Sequence, residues 1–231
     1  MIFPSRLLRG KLIRRYKRFL ADIRLLNGRV VTAHCANTGS MMGCQEPGST
    51  VYVSQAQNPA RRLSYTWELV RVHRTWVGIN TFYPNRLVAE AIESGVLTEL
   101  QGYQRIRREV QVGPGTRLDL CLEQTRRRCY VEVKNVTLAL HGIAAFPDAV
   151  TERGTKHLKE LIRLRRKGER AALVFVVQRE DCAAFRPADE IDMEFGNWLR
   201  KAVKAGVKVL PYQARVNPKE ITLTERLPIR F

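Results

Sequence analysis

The sequence has no uninterrupted apolar run long enough to cross a bilayer. Its longest clean stretch, Ala171-Ala-Leu-Val-Phe-Val-Val177, has the length of a buried strand, far short of the roughly 20 residues that a membrane helix needs. Basic side chains break up the apolar windows near the N-terminus from Arg6 onward, so no signal-peptide core is present. Cysteine is sparse: Cys35, Cys44, Cys121, Cys129 and Cys182 make an odd count with no CxxC pair. A chain of 231 residues needs no disulfide staples, so these thiols read as reduced and the protein as cytoplasmic. His34 beside Cys35, with Cys44 downstream, admits a metal reading, but no second histidine lies near and buried free thiols fit better. Internal repeats and low-complexity tracts are lacking.

Acidic residues are also in short supply. Against 40 Lys and Arg stand 22 Asp and Glu, giving a formal charge of +18 and a pI near 10.3. At 45% hydrophobic and 27% charged, the chain has ample apolar surface to fold, which excludes intrinsic disorder. Such a basic surface attracts polyanions, of which nucleic acid is the commonest in a cell. Residues 1–84 hold 13 basic and 3 acidic side chains, and residues 85–231 hold 27 and 19. The first 18 residues carry Arg6, Arg9, Lys11, Arg14, Arg15, Lys17 and Arg18 and no acid.

The pattern divides the chain near residue 82. Asn27-Gly28 between Ile23-Arg-Leu-Leu26 and Arg29-Val-Val-Thr-Ala33 is a hairpin signal. Further strand patterns run over 50–54, 62–72 and 75–79, with a short turn at His73-Arg74. Residues 6–24 read either as a basic amphipathic helix, from Leu8, Leu12, Tyr16 and Ile23, or as a long first strand. The strand is preferred because the hairpin behind it needs a partner. About five strands in this length predict a small OB-like β-barrel over 1–82.

Residues 83–231 alternate. A helix over 85–94 precedes strands over 106–112, 117–122 and 129–136, with Pro114-Gly115 and the basic stretch Arg126-Arg-Arg128 at the turns. A helix over 151–167, a central strand over 171–177, a helix over 190–205 and short strands near 207–210 and 221–224 complete an α/β (α+β) layer.

Asp119 lies on one predicted strand, and Glu132 and Lys134 share a face of the next. In register, Asp119 comes beside Glu132, and two hard carboxylates suit Mg2+ or Mn2+, with Asp119 and Glu132 as ligands. Lys134 can then orient the attacking water or neutralise developing phosphate charge. This D…ExK spacing, within its helix and strand order, resembles the PD-(D/E)XK nuclease core. The plainer alternative is a cross-strand ion pair on a solvated face, worth under about 1 kcal/mol. Glu90 reads as an additional acid or as a solvated helix residue. Arg153, Lys156, His157 and Glu160 form a polar helix face toward the cleft or toward solvent, and Gln178 falls near the same mouth.

Four segments carry a family resemblance: His34-Cys-Ala-Asn-Thr-Gly-Ser-Met41, Pro84-Asn-Arg-Leu-Val88, Tyr130-Val-Glu-Val-Lys-Asn-Val-Thr137 and Phe146-Pro-Asp-Ala-Val-Thr-Glu-Arg-Gly-Thr-Lys-His-Leu158. Together they resemble the sugar fermentation stimulation protein (SfsA) family over nearly the whole chain, with Ala36 and Val150 standing where many members carry proline. The resemblance implies an OB-like domain joined to a PD-(D/E)XK nuclease-like domain, with Asp119, Glu132 and Lys134 at the family's metal site. It also implies DNA binding without clear sequence preference and a regulatory role in sugar (maltose) utilisation.

Non-specific DNA is therefore the expected partner, contacted by Arg14, Arg15, Lys17, Arg18, Arg153, Lys156 and His157. The Asn37, Thr38 and Ser40 loop either offers backbone N–H groups to a phosphate or is a tight turn between barrel strands. Tyr16, Tyr52, Tyr65, Trp67 and Trp76 are candidates for base stacking or for the core. A metal-dependent nuclease is the alternative function, and an RNA-binding accessory protein is a third reading without a supporting motif. No membrane partner is expected, and a homodimer is left open.

Overall fold

In the computed structural model, residues 1–58, 60–113 and 115–231 are described. Pro114, expected to mark a turn, lies outside them.

The N-terminal half builds strands β1 (Leu8–Tyr16), β2 (Leu20–Leu25), β3 (Val30–Cys35), β4 (Thr50–Gln55), β5 (Tyr65–Val72) and β6 (Thr75–Gly78). They run in the order β3-β2-β1-β4-β5-β6, and parallel pairing of β3 with β5 closes the first five into a barrel. Alternation along β2, β3 and β4 sends Ala21, Ile23, Val31, Ala33, Val51 and Val53 into a core around Trp67. The Asn27-Gly28 hairpin forms as expected, with Gly28 at φ 83°.

The expected single strand over 6–24 is instead two. The chain reverses at Lys17 and Arg18, both at positive φ (48° and 64°), so that Tyr16 pairs with Leu20. Two ordinary residues thus hold a conformation usually given to Gly or Asn, which left no turn signal in the sequence.

The second half forms α1 (Pro84–Glu93), then β7 (Arg105–Gly113), β8 (Thr116–Gln124), β9 (Arg127–Val136), β10 (Ala139–Leu140) and β11 (Ile143–Phe146). There follow α2 (Glu152–Arg166), β12 (Arg170–Val177), β13 (Ala184–Pro187), α3 (Met193–Lys204), β14 (Lys208–Val216) and β15 (Ile221–Arg226). The main sheet has the order β15-β14-β12-β9-β8-β7, with β12 parallel to both neighbours. As a central strand covered on both faces, β12 is buried from Ala171 to Val177. Leu87, Val88, Ala91 and Ile92 of α1 pack on one face against Val131, Val174 and Val176. Leu158, Leu161 and Ile162 of α2, with Phe195 and Leu199 of α3, pack on the other against Leu173 and Phe175.

Both long helices are capped. Thr151 Oγ1 accepts from Gly154 N–H at 3.1 Å, and Asp192 accepts from Phe195 N–H at 2.9 Å. The third helix begins after Asp192 rather than at 190, since Asp192 serves as its cap while Asp189 pairs with Arg200 across 2.5 Å. The strand pair β10–β11 and strand β13 make a separate three-stranded sheet, too short and irregular to leave a periodic signal.

The halves are locked together by polar contacts. Gly78 N–H donates to Gln178 O at 2.9 Å, and a Cβ on Gly78 would meet Gln178 Oε1 at 2.3 Å, so a side chain there would require the Gln178 amide to move. Asp148 Oδ2 accepts from Met41 N–H at 3.0 Å and Ser40 Oγ at 3.2 Å. Among the described residues no helix is long and apolar enough to cross a membrane.

Candidate functional site

Antiparallel pairing of β8 with β9, with Leu120 opposite Val131, sets Asp119 beside Glu132 one position further along. Val133 N–H donates to Asp119 Oδ2 at 2.8 Å, and Asn85 Nδ2, from the first turn of α1, donates to Asp119 Oδ1 at 2.9 Å. Glu132 is buried. Its Oε1 accepts from Lys134 Nζ at 2.6 Å and also contacts His157 Nδ1, while Lys134 Nζ and His157 Nδ1 lie 3.3 Å apart. Glu132 Oε2 is buried with no hydrogen-bond partner among the described residues.

Electrostatics separate the two carboxylates. Burial, reinforced by the negative charge of Glu132, pushes Asp119 up to about 6 despite its hydrogen bonds from Val133 and Asn85. Burial acts on Glu132 in the same direction, but the hydrogen bonds and charges of His157 and Lys134 outweigh it and hold Glu132 below the usual carboxylate range. Asp119 is thus the group that a nearby cation would help most to ionise.

The site opens into a cleft of about 470 Å3, with Arg117, Arg153, Lys156 and His157 among its walls. Arg153 and Lys156 are exposed, and Lys156 Nζ reaches Gly115 O at 3.3 Å. His157, expected among DNA-contacting residues, is buried against Glu132 instead. Glu160 pairs with Arg163. Glu90 lies apart from the cluster and bonds Arg86 at 2.7 Å and the Met1 amine at 2.8 Å. Of the two readings of Glu90, additional acid or solvated helix residue, the structure gives the second, and the α1 side chain that reaches the carboxylates is the amide of Asn85 at the helix start. Gln178 sits in the seam between the halves, its Nε2 donating to Asn135 Oδ1 at 2.5 Å.

The barrel residues separate into free and engaged groups. Lys17 and Thr38 are exposed, Arg14 is exposed but paired with Asp22 at 2.8 Å, and Arg18 Nε donates to Thr38 O at 3.0 Å. Arg15 turns inward, with its Nη2 donating to the carbonyls of Arg18, Asn37 and Gly39 at 2.8–3.0 Å. Asn37 is buried and closes its own turn through Gly39 N–H at 2.9 Å. Ser40 and the Met41 N–H meet an anion, as the loop's composition suggested, and that anion is the Asp148 carboxylate. Of the candidate stacking aromatics, Trp67 and Tyr65 are core, and Tyr52 packs against Trp76 with ring centroids 5.0 Å apart. All five cysteines are free and buried.

Comparison with known proteins agrees with this architecture. Residues 13–79 match the model of the SfsA N-terminal OB domain, and residues 82–220 match that of the sugar fermentation stimulation protein RE domain. A sugar fermentation stimulation protein homolog of Geobacter sulfurreducens is 60% identical over 229 residues, covering 99% of this chain and 98% of the relative. The Thioalkalivibrio sulfidiphilus homolog is 54% identical over 231 residues, covering 99% and 98%. The solved structure of Pyrococcus furiosus SfsA, described as a complex with Ca2+, superposes with a TM-score of 0.91 at 28% identity, covering 100% of this chain and 98% of that one. With both domain models and full-length relatives in agreement, the chain belongs to the sugar fermentation stimulation protein family.

Proposed function

We propose that the protein binds DNA through its phosphate backbone with little sequence preference, and that Asp119 and Glu132 hold Mg2+ or Mn2+ in a nuclease-like cleft where a phosphodiester is hydrolysed. The observation that carries this reading is Glu132 Oε2, buried without a donor beside a second carboxylate that burial pushes toward protonation. A hard cation satisfies the first and relieves the second. Among the described residues no group of three or more His, Cys, Asp or Glu side chains is arranged to hold a metal ion by itself. Mg2+ and Mn2+ rely on one or two carboxylates and take their other positions from water and phosphate oxygens. The Ca2+ in the description of the Pyrococcus structure supports oxygen-ligand chemistry in this family.

When bound, the ion would neutralise phosphate charge and make water more acidic. The chain supplies the remainder. Asn85 and the Val133 N–H fix the Asp119 carboxylate, and His157 and Lys134 fix Oε1 of Glu132. Lys134 Nζ stands beside the carboxylates to orient the attacking water or to neutralise charge developing on the phosphate. Arg153 and Lys156 draw the backbone into the cleft, and contacts of that kind carry no base information.

A second reading, binding without cleavage, is favoured by one observation: Lys134 Nζ is engaged by Glu132 Oε1 at 2.6 Å rather than free. Either activity would serve the regulatory role in sugar fermentation that the family name supports, and the maltose role expected from the resemblance is part of this proposal. The test is incubation with plasmid and single-stranded DNA in Mn2+ or EDTA, alongside Glu132→Ala. Cleavage in Mn2+ that EDTA and the variant both abolish supports hydrolysis. Retarded but intact DNA throughout supports binding alone, and DNA left unretarded at low salt overturns both readings.

A further inference from the structure

The most exposed aromatic ring among the described residues is neither in the core nor among the groups discussed above. Phe82 is 69% exposed, and its ring lies nearly parallel to that of His34, with centroids 6.4 Å apart and planes 18° from each other. His34 is an outward-facing residue of β3. Its Nδ1 is buried without a hydrogen-bond partner among the described residues, so stacking holds this ring rather than a polar contact.

The Phe82 backbone is pinned although its ring meets solvent. Its N–H donates to Asn80 Oδ1 at 3.0 Å, Asn80 Nδ2 donates to the buried Glu68 at 2.7 Å, and the neighbouring Thr81 holds Ala36 O. An apolar ring fixed on the outside is a preorganised surface. A second exposed ring borders it: Phe19 is 47% exposed, its carbonyl accepts from Cys35 N–H at 2.8 Å, and the adjacent Leu20 is the cross-strand partner of His34. Arg18, in the same β1–β2 turn, and Arg61, close enough to act on the His34 charge, supply cations around the rings.

Position adds the decisive element. Phe82 precedes by three residues Asn85, which holds Asp119, and three residues of chain span at most about 10 Å. A strand lying across Phe82 therefore passes close to the candidate cleft. Bases inside a duplex are stacked on one another and offer no face to such a ring, whereas single-stranded bases do.

We propose that Phe82 and His34 form a base-stacking platform for single-stranded DNA at the approach to the Asp119–Glu132 cleft. The inference rests on the DNA-binding reading and specifies which form of DNA this face accepts.

The experiment measures full-length wild type, Phe82→Ala and Phe82→Trp against a labelled oligothymidylate and a duplex of equal length. Loss of one stacked base predicts single-strand affinity lower on the order of tenfold in Phe82→Ala, with duplex affinity unchanged and Phe82→Trp restored to wild-type binding. Because the ring is exposed, the variant is expected to melt with the wild type. Equal single-strand affinity in Phe82→Ala and wild type, or an equal loss for both DNA forms, overturns the platform and leaves the DNA-binding reading standing. Wild type that retards neither DNA form overturns both.

Discussion

Asp119→Asn is expected to stabilise the metal-free protein at neutral pH. In the folded chain Asp119 titrates at about 6, against 3.8 for the ordinary group, because burial and the Glu132 charge both disfavour its ionised form. Below about pH 4 the group is protonated in both states and the shift costs nothing. As the pH rises toward 6, the unfolded chain releases its proton while the folded chain retains it, so stability falls; above 6 the full loss persists. At about 1.4 kcal/mol per unit, the shift amounts to no more than about 3 kcal/mol. Asparagine removes this penalty and keeps an oxygen for Val133 N–H, but its new amide N–H groups require Asn85 to turn its own oxygen toward them. Allowing about 1 kcal/mol for that rearrangement leaves a net gain of roughly 1–2 kcal/mol. For a chain of this size the gain raises the melting temperature by roughly 2–8 °C. The assay is thermal unfolding in EDTA at neutral pH and again near pH 4, where the advantage should vanish. A variant less stable than wild type at both pH values would refute the argument, because the Asp119 carboxylate would then be net favourable even without an ion.

Other outcomes follow from the same contacts. DNA affinity should fall with salt at a log–log slope near about −5 if five or six phosphates are neutralised; an affinity flat across low and physiological salt contradicts a backbone-driven mode. Arg15→Ala should cost on the order of 2–3 kcal/mol in urea unfolding, since its guanidinium bonds three carbonyls, whereas Lys17→Ala should leave stability unchanged and reduce the salt slope by about one. Asp148→Ala should lower the melting temperature by loosening the loop that carries Ser40 and Met41; the cost is roughly 2–4 kcal/mol for two charge-assisted bonds.

Much of the second half was legible because its elements carry strong local signals. The apolar run at 171–177 has the length and β-branched content of a central strand, and the helix beginning after Thr151 announces itself by its stripe. The pairing of Asp119 with Glu132 followed from strand periodicity alone, once the two strands were placed in register. Asn85 and His157 were not legible in these roles. Each reaches the carboxylates from a different helix, and no spacing in the chain reports which helix residue a sheet will meet. The same limit applies to Asp148, whose partner loop lies more than a hundred residues away, at Ser40 and Met41. The extra turn at Lys17 and Arg18 was hidden for another reason: its positive φ falls on residues with no preference for it, where β1 and β2 pair directly across the turn. Of the aromatics open to either reading, Trp67 and Tyr65 took the core, while the rings that face solvent, Phe82 and Phe19, carried no signal of their own in the chain.

The central claim is that Asp119 and Glu132 together hold a divalent cation, and titration calorimetry with Mn2+ tests it most directly. Wild type should bind Mn2+ at this site and melt at a higher temperature in its presence. Glu132→Gln should lose that binding at least tenfold while retaining salt-dependent DNA affinity, because Arg153, Lys156 and the basic barrel surface are untouched. Mn2+ bound by Glu132→Gln as tightly as by wild type, or no Mn2+ bound by wild type, would contradict the account.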